Sequence, residues 1–87
     1  MLRITRHSES STTTLAVSGR IASEQLPDLR RLIQEERTRD VVLDLREVSL
    51  VDVEVVRFLI QCESRGIRIA RCPGYVREWM VREHRPP

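Results

Sequence analysis

Leu2 and Ile4 alternate with Arg3 and Thr5, the period-two pattern of a strand with one buried face. His7 to Ser11 is polar, and its length predicts a hairpin loop of about five residues. Thr12-Thr13-Thr14-Leu15-Ala16-Val17 is rich in β-branched residues and sets Leu15 and Val17 on one face. These two runs predict an antiparallel hairpin, with Gly19 ending the second strand. Ser23 is placed to cap a helix that begins near Leu26 and Pro27, since proline is tolerated in a first helical turn. Leu26, Leu29, Leu32 and Ile33 then fall at helical spacing, with Arg30, Arg31, Glu35 and Glu36 toward water. The pattern breaks from Thr38 to Asp40. Val41 to Leu45 is apolar except for Asp44, as in a parallel strand buried on both faces. Arg46 to Val51 reads as a connector. Asp52 stands where an N-cap belongs, before a helix over 53–64 that carries Val55, Val56, Leu59 and Cys62 on one stripe, with Phe58 and Ile60 beside it. Arg65-Gly66 closes that helix. Ile67 to Ala70 predicts a fourth strand. Pro73 opens a last helix with Val76, Trp79 and Met80 inward, and His84 to Pro87 reads as a tail.

The order is ββαβαβα, an α/β chain with a small mixed four-stranded sheet and three helices. The expected organisation is a single domain over 1–83 with a tail at 84–87. The helices are expected mainly on one side of the sheet. The other face then needs polar strand residues, which Arg3, Thr5, Thr12, Thr14 and Arg68 supply.

Composition narrows the functional classes. Fifteen basic against thirteen acidic residues leave a net charge of +2 in 87 residues, too little for a nucleic-acid polyanion partner. Every basic residue is arginine, which excludes lysine nucleophiles and a phosphate-loop lysine. Cys62 and Cys72 do not form a CxxC pair, and the two histidines lie near opposite ends, so no metal-ligand cluster is legible and no cofactor is expected. Three scattered glycines build no phosphate-cradling loop. No segment reaches the ~18–20 apolar residues that span a bilayer, and the N-terminus carries no signal-peptide pattern. A cytoplasmic location follows as the expectation, and no catalytic residues are assigned.

Against that background, Leu15 to Ile21, the run Val41-Val42-Leu43-Asp44-Leu45-Arg46-Glu47-Val48-Ser49-Leu50-Val51-Asp52, and Gly66 to Ile69 together resemble STAS domains, the family of bacterial anti-sigma factor antagonists. The resemblance runs over residues 2–81 in order and spacing. It implies a small cytosolic α/β domain that acts by binding another protein: an anti-sigma kinase, a sensor assembly, or a transporter subunit. In the antagonists, the position after the aspartate matching Asp52 is a serine or threonine that the partner kinase phosphorylates, adding about −1.5 to −2 charges at a helix start. Here that position is Val53, which has no hydroxyl, so no phosphorylation is expected there. The position two further on, usually glycine in the family, is Val55. The chain also stops after the third helix where many STAS domains add a strand and helix.

The expected function is a non-enzymatic protein-interaction module that lacks the phosphorylation switch. Two alternatives are a constitutive structural subunit or homodimer of a transporter ATPase or sensor assembly, and a binder of a small nucleotide or lipid. The expected partner-binding residues are Asp52, Val53, Glu54 and Ser49. Each also has a plain structural reading: an N-cap for Asp52, dipole complementarity for Glu54, a solvated turn for Ser49. Tyr75 and Trp79, four apart on the last helix, are a candidate aromatic anchor pair, or Trp79 covers the sheet. Asp44 reads as a strand residue that bonds backbone or an arginine. Cys72, just before Pro73, has the helix-start position that can activate a thiol, or is a structural cysteine.

Overall fold

Strand register sorts the chain into two faces. The structure is a computed structural model that describes residues 2–36 and 40–84. Its strands β1 (Arg3–Glu9), β2 (Thr12–Ile21), β3 (Asp40–Val51) and β4 (Arg68–Ala70) form one sheet in that order. β1 pairs antiparallel with β2, while β2–β3 and β3–β4 are parallel. Partners across each ladder share a face. Ile4 therefore lies with Val17, Leu15 with Leu43, and Leu43 with Ile69 on one side. Thr5 and Ala16 lie with Asp44 and Ala70 on the other. Leu15, Val17, Ile21, Leu43, Leu45, Val48 and Val51 share one buried cluster with residues from all three helices, α1 (Leu26–Glu35), α2 (Val53–Ser64) and α3 (Gly74–His84). Val42, on the opposite face, stands outside that cluster. The helices thus cover one face, and Arg3, Thr5, Thr12, Thr14 and Arg68 lie on the other, as the pattern predicts.

Several local expectations change. The hairpin connection is two residues, Ser10 and Ser11, with Ser10 in the left-handed region at φ 55°. His7 to Glu9 is polar because both faces of β1 are exposed there, not because it turns. β2 runs past Gly19 to Ile21, and Gly19 (φ 92°) sits at a break in the β2–β3 register. Ser23 does not cap α1. It opens a 3-10 turn over Ser23–Gln25, and Gln25 folds back so that its Oε1 accepts the Ala22 N–H at 2.8 Å. The supposed connector from Arg46 to Val51 is strand throughout. Register shifts between Ala16/Ser18 and Gly19/Arg20 place two extra residues in β3, and each bulge turns the alternation over. Buried positions therefore recur at Leu45, Val48 and Val51, every third residue, which hides the strand from a period-two reading. β4 starts at Arg68, one residue later than expected. Trp79 is half-buried against the core rather than enclosed by it. His84 is the last residue of α3, not part of a tail. The expected tail beyond it, and the break at Thr38 and Arg39, lie outside the described residues.

Candidate functional site

The carboxyl ends of β2 and β3 deliver the chain to the starts of α1 and α2, and Asp52 ties the two together. Its backbone is extended (φ −109°, ψ 177°), as an N-cap requires. Oδ1 accepts the Val55 N–H at 3.0 Å, and Oδ2 accepts the Ser23 N–H at 2.8 Å. One carboxylate thus caps α2 and anchors the 3-10 turn that leads into α1. Burial pushes the Asp52 carboxyl up, but the bonds from Val55 and Ser23 together outweigh it and hold the group below its ordinary value of 3.8.

Val53 follows as the first residue of α2 and is half-buried. Glu54 is exposed and pairs with Arg57 at 3.2 Å, which in turn bonds Glu83 of α3 at 3.1 Å. The expected charge at this helix start is therefore largely answered by its own neighbour. Ser49 lies exposed in the second bulge of β3, and its carbonyl accepts the Tyr75 hydroxyl at 2.9 Å. That bond lays the Tyr75 ring, 46% exposed, against the strand end where Leu50 is 50% exposed.

The structure so brings Ser49, Asp52, Val53 and Glu54 to one end of the sheet and adds Leu50 and Tyr75. The sequence offers a signal for Leu50 only once the bulge is known. Straight alternation sets Val48 and Leu50 on one face; the extra residue turns Leu50 out and Val51 in.

Other candidate groups serve the fold. Asp44, 7% exposed, accepts the Arg46 N–H at 3.0 Å on Oδ1 and pairs through Oδ2 with Arg71. Burial pushes the Cys62 thiol up to about 11 against the opposing pull of Arg30 and Arg65. Cys72 is also pushed up, first by burial, so its place before Pro73 does not activate it. Among the described residues, no three His, Cys, Asp or Glu side chains converge as a metal site. No described helix is long and apolar enough to cross a membrane.

Comparison with known proteins agrees with this architecture. The family described as "Mlab, STAS domain" matches residues 4–81. No curated protein matches the chain. Among solved structures, the chain is similar to one titled "Crystal Structure Analysis of Mglu", with a TM-score of 0.65 and 21% identity over 80% of this chain. The match spans 19% of that protein's length, and it bears on the fold alone. STAS domains are in general protein-binding modules rather than enzymes. With four strands, three one-sided helices and a matching sequence over nearly its whole length, the chain belongs to the STAS domain family.

Proposed function

We propose that the chain is a non-enzymatic protein-interaction module that engages its partner through the start of α2, and that no phosphorylation switch acts there. The observation that carries this reading is the exposure of Leu50 and Tyr75 at one strand end, where the Tyr75 hydroxyl bonds the carbonyl of Ser49, next to Leu50. They are two of the three exposed large apolar side chains among the described residues, and Leu50 lies two residues before Asp52. Exposed apolar groups gathered within a polar rim mark interaction surfaces more than scattered ones do. Aromatic anchors such as Tyr75 are enriched in binding hot spots. Val53 has no oxygen to accept a phosphoryl group, so a contact made through it is constitutive. An anti-sigma kinase, a sensor or a transporter subunit is the class of partner that the family suggests, and a cytoplasmic site of action accords with such a partner.

The test is Val53→Arg together with Leu50→Arg, each read by partner affinity and by melting temperature. Losing the burial of one valine is worth about 1.5–3 kcal/mol, so affinity for the captured partner falls roughly ten- to a hundredfold. The melt of Leu50→Arg stays unchanged, because half of that side chain is already in water. Partner binding that survives both substitutions overturns the proposal, and so does a phosphate found by intact mass on Ser49 that abolishes binding.

A further inference from the structure

β1 is an edge strand: no described strand pairs with its outer side. Edges of this kind are usually blunted by proline, by a bulge, by brevity or by charged side chains. β1 lacks the first three, and its charges, Arg3, Arg6 and Glu9, are of both signs, so an opposed copy can answer those at its ends. The strand is seven residues long without proline, and its register against β2 runs unbroken from Arg3–Ser18 to Glu9–Thr12. The opposite edge, β4, is only three residues long. Outer hydrogen-bonding groups on a straight seven-residue edge are a template for another strand.

The side chains of β1 say which strand. Arg3 stands at one end with no ion pair among the described residues, and Glu9 at the other meets only His7, loosely, at 3.9 Å. Both lie on the helix-free face of the sheet. Two copies of β1 run antiparallel in the register that pairs all seven residues put Arg3 of each opposite Glu9 of the other, and Thr5 opposite His7. Ile4 then faces Ser8, and Arg6 faces Arg6 on the two-fold axis. That last contact between like charges is answered within each copy, where the Arg6 guanidinium grips Glu36 at 2.7 and 3.1 Å. Sliding the register by two residues in one direction sets Arg3 against His7. Sliding it in the other leaves Arg3 without an opposite residue. The longest pairing is thus also the one that matches charge.

We infer that this chain self-associates through its β1 edges into a symmetric dimer with a continuous eight-stranded sheet. The two sheets meet antiparallel, so the strand ends that carry Asp52 and Leu50 point in opposite directions, and both proposed partner surfaces stay free. One edge of seven residues buries less than the roughly 1,200 Å² of stable interfaces, so the dimer is weak, with a dissociation constant on the order of tens to hundreds of micromolar.

Sedimentation or light scattering over a concentration series measures that constant. Arg3→Glu sets two like-charge pairs across the interface, as does Glu9→Arg, and each weakens dimerisation about tenfold. The double exchange, Arg3→Glu with Glu9→Arg, restores opposite charges and recovers the association. Neither residue is buried, and the melt monitors folding in every variant. The register has its own readout in a Cys72→Ser background. Arg6→Cys, on the axis, forms an intermolecular disulfide, whereas Thr5→Cys, facing His7, does not. A monomer that persists to about 1 mM overturns the inference. So does a dimer indifferent to the charge exchange, or equal cross-linking from both cysteine positions. Loss of partner binding in Val53→Arg leaves all of these readings unchanged, so the two proposals fail separately.

Discussion

At Asp52, one side chain closes two junctions. Its two oxygens accept backbone N–H groups from Val55 and Ser23, and replacing it with alanine leaves both donors without that acceptor. Asp52→Ala is therefore expected to cost about 1–2 kcal/mol, at the upper end for a cap. Asp52→Asn falls between, because an amide offers one accepting oxygen and turns a donor toward the second N–H. The charge has a pH signature. The folded pKa lies below 3.8, so the stabilisation is fully present above the unfolded value and fades as pH falls through the folded one. Denaturant titrations at neutral pH and in strong acid should show the gap between wild type and Asp52→Ala narrowing in acid. A gap that widens there contradicts the assignment. The two thiols give a second residue-scale expectation. With Cys62 at about 11 and Cys72 also raised, neither carries appreciable thiolate at neutral pH. Native protein should react with a disulfide reagent more slowly at both sites than the unfolded chain does, Cys62 the more so.

At the scale of elements, the end of α2 offers a clean probe. Gly66 has φ +90°, and a Cβ placed there meets nothing within 4 Å. Gly66→Ala should then cost about 1–2 kcal/mol through backbone strain alone, read as a shift in denaturation midpoint. On α3, Trp79 is half-buried, so Trp79→Ala should cost about 2 kcal/mol, short of the 3–5 kcal/mol of a fully enclosed ring. The same elements show what the amino-acid pattern reveals unaided. α2 was legible in full: an aspartate cap, a 3.6-residue stripe and a closing glycine all act within the fifteen consecutive residues from Asp52 to Gly66. The one-sided sheet was legible too, because Arg3, Thr5, Thr12, Thr14 and Arg68 declare a face. The second half of β3 was not. Its two bulges come from pairing with β2, thirty residues away, and they break the local alternation that reveals a strand. That failure also hid Leu50, so Ser49, Asp52, Val53, Glu54 and Tyr75 of the proposed surface were readable and Leu50 was not. Ser23 misled for a related reason. Its own N–H, donated to Asp52, matters more than its hydroxyl as a cap, and a contact across twenty-nine positions leaves no local trace.

For the molecule as a whole, the consequence of one-sided packing is that a single layer must hold every element. Leu43 is fully buried near the middle of that layer, with Leu15 and Ile69 beside it in the ladder. α3 sits at its margin. It reaches the core through Val76 and Met80, and it is pinned to α2 by the Arg57–Glu83 and Arg77–Glu63 pairs. Those pairs are exposed or nearly so and contribute little on their own; the shared apolar layer is what makes α3 fold with the rest. The single tryptophan, Trp79, lies on α3 and packs against the core, so it reports the docking of that helix, while far-UV circular dichroism reports the sheet and all three helices. If the layer is one cooperative unit, denaturation followed by the two signals gives coincident curves. Leu43→Ala, made in the sheet and distant in sequence from Trp79, should then destabilise by about 2–5 kcal/mol and move both curves by the same amount. A fluorescence transition that precedes the dichroism change, or that stays in place when Leu43 is truncated, would show α3 detaching on its own. The proposed partner surface would then lose Tyr75 before the sheet unfolds, and binding would weaken at denaturant concentrations where dichroism is still native. Measuring affinity across that range distinguishes a rigid surface from one assembled by a loosely held helix.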